Sequence, residues 1–120
     1  TGEVNGNTWT FVTYLFASLD GISKVGSYTG NGTSQTIDCG FSAGARFVLI
    51  KRTDNSGNWK LMDTARGITT GDDKVLELDS NSAESTFDLI DPVSSGFIVK
   101  GNTTQGQNQS GATYIFLAIA

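Results

Sequence analysis

The sequence predicts an all-β domain: an antiparallel β-sandwich of jelly-roll type with about nine short strands. Three observations predict it. Apolar residues recur with a period of two along most of the chain, and the 3.6-residue period of an amphipathic helix hardly appears. Turn-prone clusters interrupt this alternation every eight to twelve residues or so, the spacing of sandwiches and barrels. Glycine (15), threonine (15), serine (12) and asparagine (8) fill over two fifths of the 120 positions, a composition of turns and β-strands.

Each element follows from that pattern. Residues 8–17 carry Trp9, Phe11, Tyr14 and Phe16 and read as a first strand, with a slip between Phe11 and Tyr14 that suggests a bulge. Asp20-Gly21 turns the chain into a second strand over 22–28, and Asn31-Gly32 gives a hairpin signal before a third over 33–39. The continuous run Phe47-Val48-Leu49-Ile50 within 46–52 suits a central strand covered on both faces. After the Asp54-Asn55-Ser56-Gly57 turn, Trp59, Leu61 and Asp63 share one face of a strand, and Lys60 and Met62 the other. Strands then follow over 74–79 and 86–91. Pro92 starts a turn, residues 96–100 form the next strand, and 113–120 the last. Asn81-Ser82-Ala83-Glu84 has capping-box spacing and room for a single helical turn.

One internal echo stands out. Thr13-Tyr14-Leu15-Phe16-Ala17 and Thr113-Tyr114-Ile115-Phe116-Leu117-Ala118 share type and order, 100 positions apart. Two readings stand side by side: chance similarity between two apolar strands, or a repeat of about that length. On the second reading residues 1–20 are a junction strand from a preceding repeat; otherwise the whole chain, 1–120, is one domain.

Composition excludes several chemistries. There is no histidine and one cysteine, so no Ser-His-Asp triad, Cys-His dyad or disulfide framework exists, and the usual zinc ligands are missing. Cys39, with no basic neighbour in sequence, reads as a small buried residue. A net charge of −4 disfavours nucleic acid and anionic membranes. No apolar run reaches the ~18 residues of a membrane-inserted helix. Neither a cofactor nor a metal is expected: Asp72, Asp73, Glu77 and Asp79 lack calcium-loop spacing and read as solvated strand residues.

The candidate ligand or interface residues are five. Trp9, Tyr28 and Trp59 could stack on a pyranose face, or pack in the core instead. Asp63 and Arg66, in Asp63-Thr64-Ala65-Arg66-Gly67, pair a carboxylate with a guanidinium fork; they suit a ligand clamp or a loop closure. Asn31, Asn102 and Asn108 each start an N-x-Ser/Thr sequon, and 102–111 reads as an exposed loop or a tolerated insertion.

A longer series of segments resembles a known family. Tyr28-Thr29-Gly30-Asn31-Gly32, Gly40-Phe41, Phe47-Val48-Leu49-Ile50-Lys51, Trp59 and Asp63-Thr64-Ala65-Arg66-Gly67 come first. Leu78, Asn81-Ser82-Ala83-Glu84, Gly96-Phe97 and Ser110-Gly111-Ala112-Thr113-Tyr114-Ile115-Phe116 follow. In this order they resemble phage tail-fibre and virion-associated β-domains, over roughly residue 8 to the end. The resemblance implies a non-enzymatic structural or adhesive module on a virion, outside the cell. Its expected partners are copies of itself, in a homotrimer or larger assembly, and a host surface glycan. No catalytic motif comes with it. A free carbohydrate-binding module is the alternative expectation, and a carboxylate-based glycan hydrolase the weaker one.

Overall fold

The computed structural model describes residues 6–101 and 105–120. Nine strands follow one another: β1 (Ser23–Thr29), β2 (Gln35–Asp38), β3 (Phe47–Arg52), β4 (Lys60–Asp63), β5 (Asp73–Glu77), β6 (Ser85–Phe87), β7 (Ile90–Val93), β8 (Gly96–Val99) and β9 (Thr113–Ile119). They form a six-stranded sheet, β1-β9-β3-β4-β5-β6, and a three-stranded sheet, β2-β8-β7. Every strand pairing is antiparallel. No helix occurs among the described residues. The all-β sandwich expected from the alternation is the fold observed.

Alternation sorts the side chains of the large sheet. Tyr114, Phe116 and Ala118 of β9 point to the inner face, with Tyr28, Val48, Ile50, Met62 and Val75 from its neighbours; all are buried. The small sheet answers with Ile37, Phe97, Val99 and Ile90. The two layers meet where the rings of Phe97 and Phe116 pack in a T-shaped arrangement, centroids 5.5 Å apart. Two glycines allow close approach. A Cβ on Gly26 would lie 2.8 Å from the Phe116 ring, and one on Gly96 would lie 2.2 Å from the Ile37 carbonyl oxygen.

Five expectations need correction. Residues 8–17 are not a strand. The hairpin with β1 begins, since Leu19 and Ser23 exchange backbone bonds, but it stops there. Ser18 Oγ takes the Val25 N–H at 3.0 Å, so a side chain occupies the edge donor that a ladder partner would need. Asn31-Gly32 does not close a hairpin, because β1 and β2 lie in different sheets. No helical turn forms at 81–84; that stretch carries no regular structure and leads into β6. The strand expected over 86–91 is two strands, β6 and β7, and Pro92 lies inside β7 instead of starting a turn. β7 pairs only with β8, and an edge strand tolerates a residue without an N–H.

Two buried polar side chains tie the loops to the sheets. Asn108, fully buried, donates to the carbonyls of Thr33 (2.6 Å) and Lys100 (3.2 Å). Its Oδ1 accepts from Asn31 N (3.1 Å) and Gln35 Nε2 (2.8 Å). This sequon asparagine is therefore committed to the fold. Asn102, the start of another sequon, lies outside the described residues.

Asp73, expected as a solvated strand residue, is instead fully buried: it accepts from the backbone N–H groups of Leu89 (3.1 Å) and Ile90 (2.9 Å) and holds β5 to the start of β7. It is thus turned away from any shared cation site. Among the described residues no three His, Cys, Asp or Glu side chains gather where they could hold a metal ion.

Burial pushes the Asp73 carboxyl from 3.8 up to about 6, against the opposing pull of its N–H donors. The folded state therefore holds the proton more tightly than the unfolded chain. Stability linked to this group is fully present below about pH 4 and is lost as pH rises through about 6. Asp73→Asn removes this titration. Urea unfolding at pH 4, 5, 6 and 7 should show the variant gaining on the wild type by about 1–3 kcal/mol across that window. A constant difference between the two proteins would contradict the assignment.

Candidate functional site

The outer face of the large sheet is where apolar surface is left uncovered. One cross-strand row there is entirely aliphatic: Val25, Leu117, Leu49, Leu61 and Leu76, contributed in turn by β1, β9, β3, β4 and β5. No second sheet covers it, because β2-β8-β7 packs on the opposite side. Instead Tyr14 and Phe16 from the N-terminal segment line a groove of about 640 Å³ together with Trp59, Leu78, Ile115 and three members of this row, Val25, Leu117 and Leu49. The cover is incomplete: Val25, Leu78 and Ile115 stay more than two fifths exposed. The N-terminal segment itself is barer, with Tyr14 79% and Leu15 91% exposed. Side chains of this kind carry about 1.5–3 kcal/mol each of burial free energy when fully covered. A contiguous apolar surface of this sort marks a contact site.

On the inner face, polarity changes at one end. Along β3 the core positions run Val48, Ile50, Arg52; along β4, Met62 then Lys60; along β5, Val75 then Glu77. Each strand switches from apolar to charged at the same end, where the segment 105–109 folds over a cavity of about 430 Å³. The cavity is polar. Arg52 pairs with Asp54 (Nε to Oδ1, 2.9 Å) and also donates to Gln109 Oε1. That guanidinium holds the Asp54 carboxyl down at about 2. Lys60 Nζ donates to the Gln105 carbonyl and faces Glu77 across the ladder; burial lowers its pKa. Tyr114 donates its hydroxyl to the Gly106 carbonyl (2.7 Å) and accepts from Gln109 N (3.0 Å), which fixes the loop.

The five residues singled out from sequence do not converge. Trp9 is 62% exposed and sits beside Phe11, centroids 6.3 Å apart. Tyr28 is in the core, stacked on Tyr114 at 4.8 Å, and its hydroxyl donates to the Gln107 carbonyl. Trp59 lines the apolar groove. Asp63, at the far end of β4, accepts from the Arg66 N–H (2.9 Å) and pairs with its guanidinium. Arg66 also reaches Glu84, Nε to Oε2 3.7 Å, and the Gly67 N–H returns to the Asp63 carbonyl. This is loop closure, with Gly67 at φ +119°. Cys39 is buried, and burial pushes its thiol up to about 11.

Arg52, Lys60 and Gln107 are not among the candidates read from sequence, and Glu77, expected as a solvated strand residue, lines the cavity instead. For Arg52, Lys60 and Glu77 the available signal was parity: a charged residue in register with core positions on three neighbouring strands.

Two antiparallel sheets, one apolar outer face and one polar end cavity define the class, an all-β sandwich domain. The chain belongs to the family described as Domain of unknown function (DUF7483), whose model matches residues 1–120. No curated protein and no solved structure matches it.

The Asp63–Arg66 pair is partly exposed, so it is worth at most about 1 kcal/mol. Arg66→Ala should lower the urea-unfolding free energy by about that amount or less, and should leave association with other molecules unchanged. A binding defect in this variant would restore the clamp reading.

Proposed function

We propose that this domain is a non-enzymatic structural and adhesive module of a virion surface assembly, such as a tail fibre, in which copies of the fold associate. The virion setting rests on the order of segments from Tyr28-Thr29-Gly30-Asn31-Gly32 to Thr113-Tyr114-Ile115-Phe116, which resembles phage β-domains. The association rests on one observation: the apolar groove on the outer face, rimmed by an N-terminal segment that carries the Tyr-x-Phe pattern of β9.

That pattern favours a second copy of the fold as the partner. In β9, Tyr114 and Phe116 pack against Tyr28 and Phe97 of this same fold. In the N-terminal segment, Tyr14 and Phe16 stand exposed, and between them Leu15 is nearly bare. A side-chain pattern suited to this fold's own surfaces is met by a second copy of it. The extended backbone of such a segment adds to a sheet edge, and its apolar side chains settle in the groove.

Sedimentation equilibrium of the chain at micromolar concentration should show an oligomer. Leu15→Asp should weaken association about tenfold or more, since it removes one buried leucine per contact. Leu15 is 91% exposed in the single chain, so at concentrations where the wild type is dissociated the variant should keep the wild-type unfolding midpoint. A wild-type chain that is monomeric throughout the range would refute association.

A further inference from the structure

We infer that the polar cavity at the end of the sandwich binds a neutral saccharide, and that the buried carboxamide of Gln107 hydrogen-bonds it. The inference concerns the adhesive half of the proposed function and not the assembly half. The cavity lies on the inner side of the large sheet, away from the apolar groove.

Gln107 is only 2% exposed and lines the cavity, yet neither its Nε2 nor its Oε1 has a hydrogen-bond partner. A buried amide left unpaired is costly, and native proteins keep few of them. Its neighbour Asn108, also buried, shows the contrast: both atoms of that carboxamide are engaged. The loop backbone on either side of the Gln107 side chain is pinned. The Gln107 carbonyl accepts from the Tyr28 hydroxyl, and Tyr114 fixes Gly106 on one side and Gln109 on the other.

The cavity's chemistry selects the ligand class. Gln107 offers a donor and an acceptor side by side. A sugar hydroxyl both donates and accepts, so adjacent hydroxyls can satisfy both atoms at once. Asn58 adds a further amide at the cavity wall. The charges around the cavity are matched: Arg52 against Asp54, Lys60 opposite Glu77. An anionic ligand would need an uncompensated cation there, as in carboxylate or phosphate sites. An apolar ligand would leave the amide as unpaired as before. The volume of about 430 Å³ falls in the range of small-molecule sites.

The test uses the full chain on an array printed with neutral and acidic glycans, followed by nitrogen-15 NMR titration with the strongest neutral glycan. Gln107→Met keeps the length of the side chain and removes both polar atoms. Wild type should bind a neutral glycan, with shifts concentrated on the side-chain amide of Gln107 and on residues 105–109. Gln107→Met should bind at least tenfold more weakly while unfolding at the same or higher urea concentration. Four results would overturn the inference: no neutral glycan bound, binding only of acidic glycans, equal affinity in Gln107→Met, or a less stable variant, since that would mean the amide already has a partner. A monomer that binds saccharide, or an oligomer that binds none, would separate this inference from the assembly reading.

Discussion

The constraint on which the structure depends is the placement of β9 between β1 and β3, in the interior of the large sheet. A strand with neighbours on both sides must satisfy both ladders with one register, and its two faces must serve two different environments. β9 does this by strict alternation. Tyr114, Phe116 and Ala118 go inward and meet the small sheet, while Ile115 and Leu117 go outward. A slip of one residue would exchange these sets and expose the core aromatics.

The surfaces of interest are consequences of that placement. Leu117 lies at the centre of the aliphatic row running from Val25 to Leu76, so the outward face of β9 is the floor of the apolar groove. Tyr114, pointing the other way, anchors the 105–109 loop with its hydroxyl and so shapes the polar cavity. The cavity exists because the three-stranded sheet covers less of the inner face than the six-stranded sheet offers. Where that cover ends, Arg52, Lys60 and Glu77 replace Val, Ile and Met at core positions; Arg52 pairs with Asp54, and Lys60 donates to the Gln105 carbonyl opposite Glu77.

Much of this was legible in the alternation. The strands around Lys60-Leu61-Met62 and Tyr114-Ile115-Phe116 appear where the period of two places them; Phe47-Val48-Leu49-Ile50, expected as a central strand covered on both faces, is central, but the second sheet covers only its inner face. The N-terminal strand was misread because β-propensity says nothing about whether an edge is free. Ser18 takes the Val25 N–H, a contact no pattern of apolar residues encodes. The 81–84 turn was misread because capping-box spacing is a local signal, and here the chain is already leading into β6. Trp9, Tyr28 and Trp59 drew attention as aromatics, yet one is exposed, one is core and one lines the groove. The cavity residues gave only a weak signal, because a lone lysine or arginine in a strand looks like surface until the neighbouring strands fix its face.

The bare N-terminal segment is the strongest departure from a self-sufficient domain, and its backbone is the most direct thing to observe. Amide hydrogen exchange of the intact chain, followed at low and at high protein concentration, reads whether residues 13–17 enter a ladder. Association through this segment predicts protection of Tyr14, Leu15 and Phe16 that rises with concentration while β9 stays protected throughout. Rapid exchange of these three amides at every concentration, in a chain that nevertheless oligomerises, would contradict it.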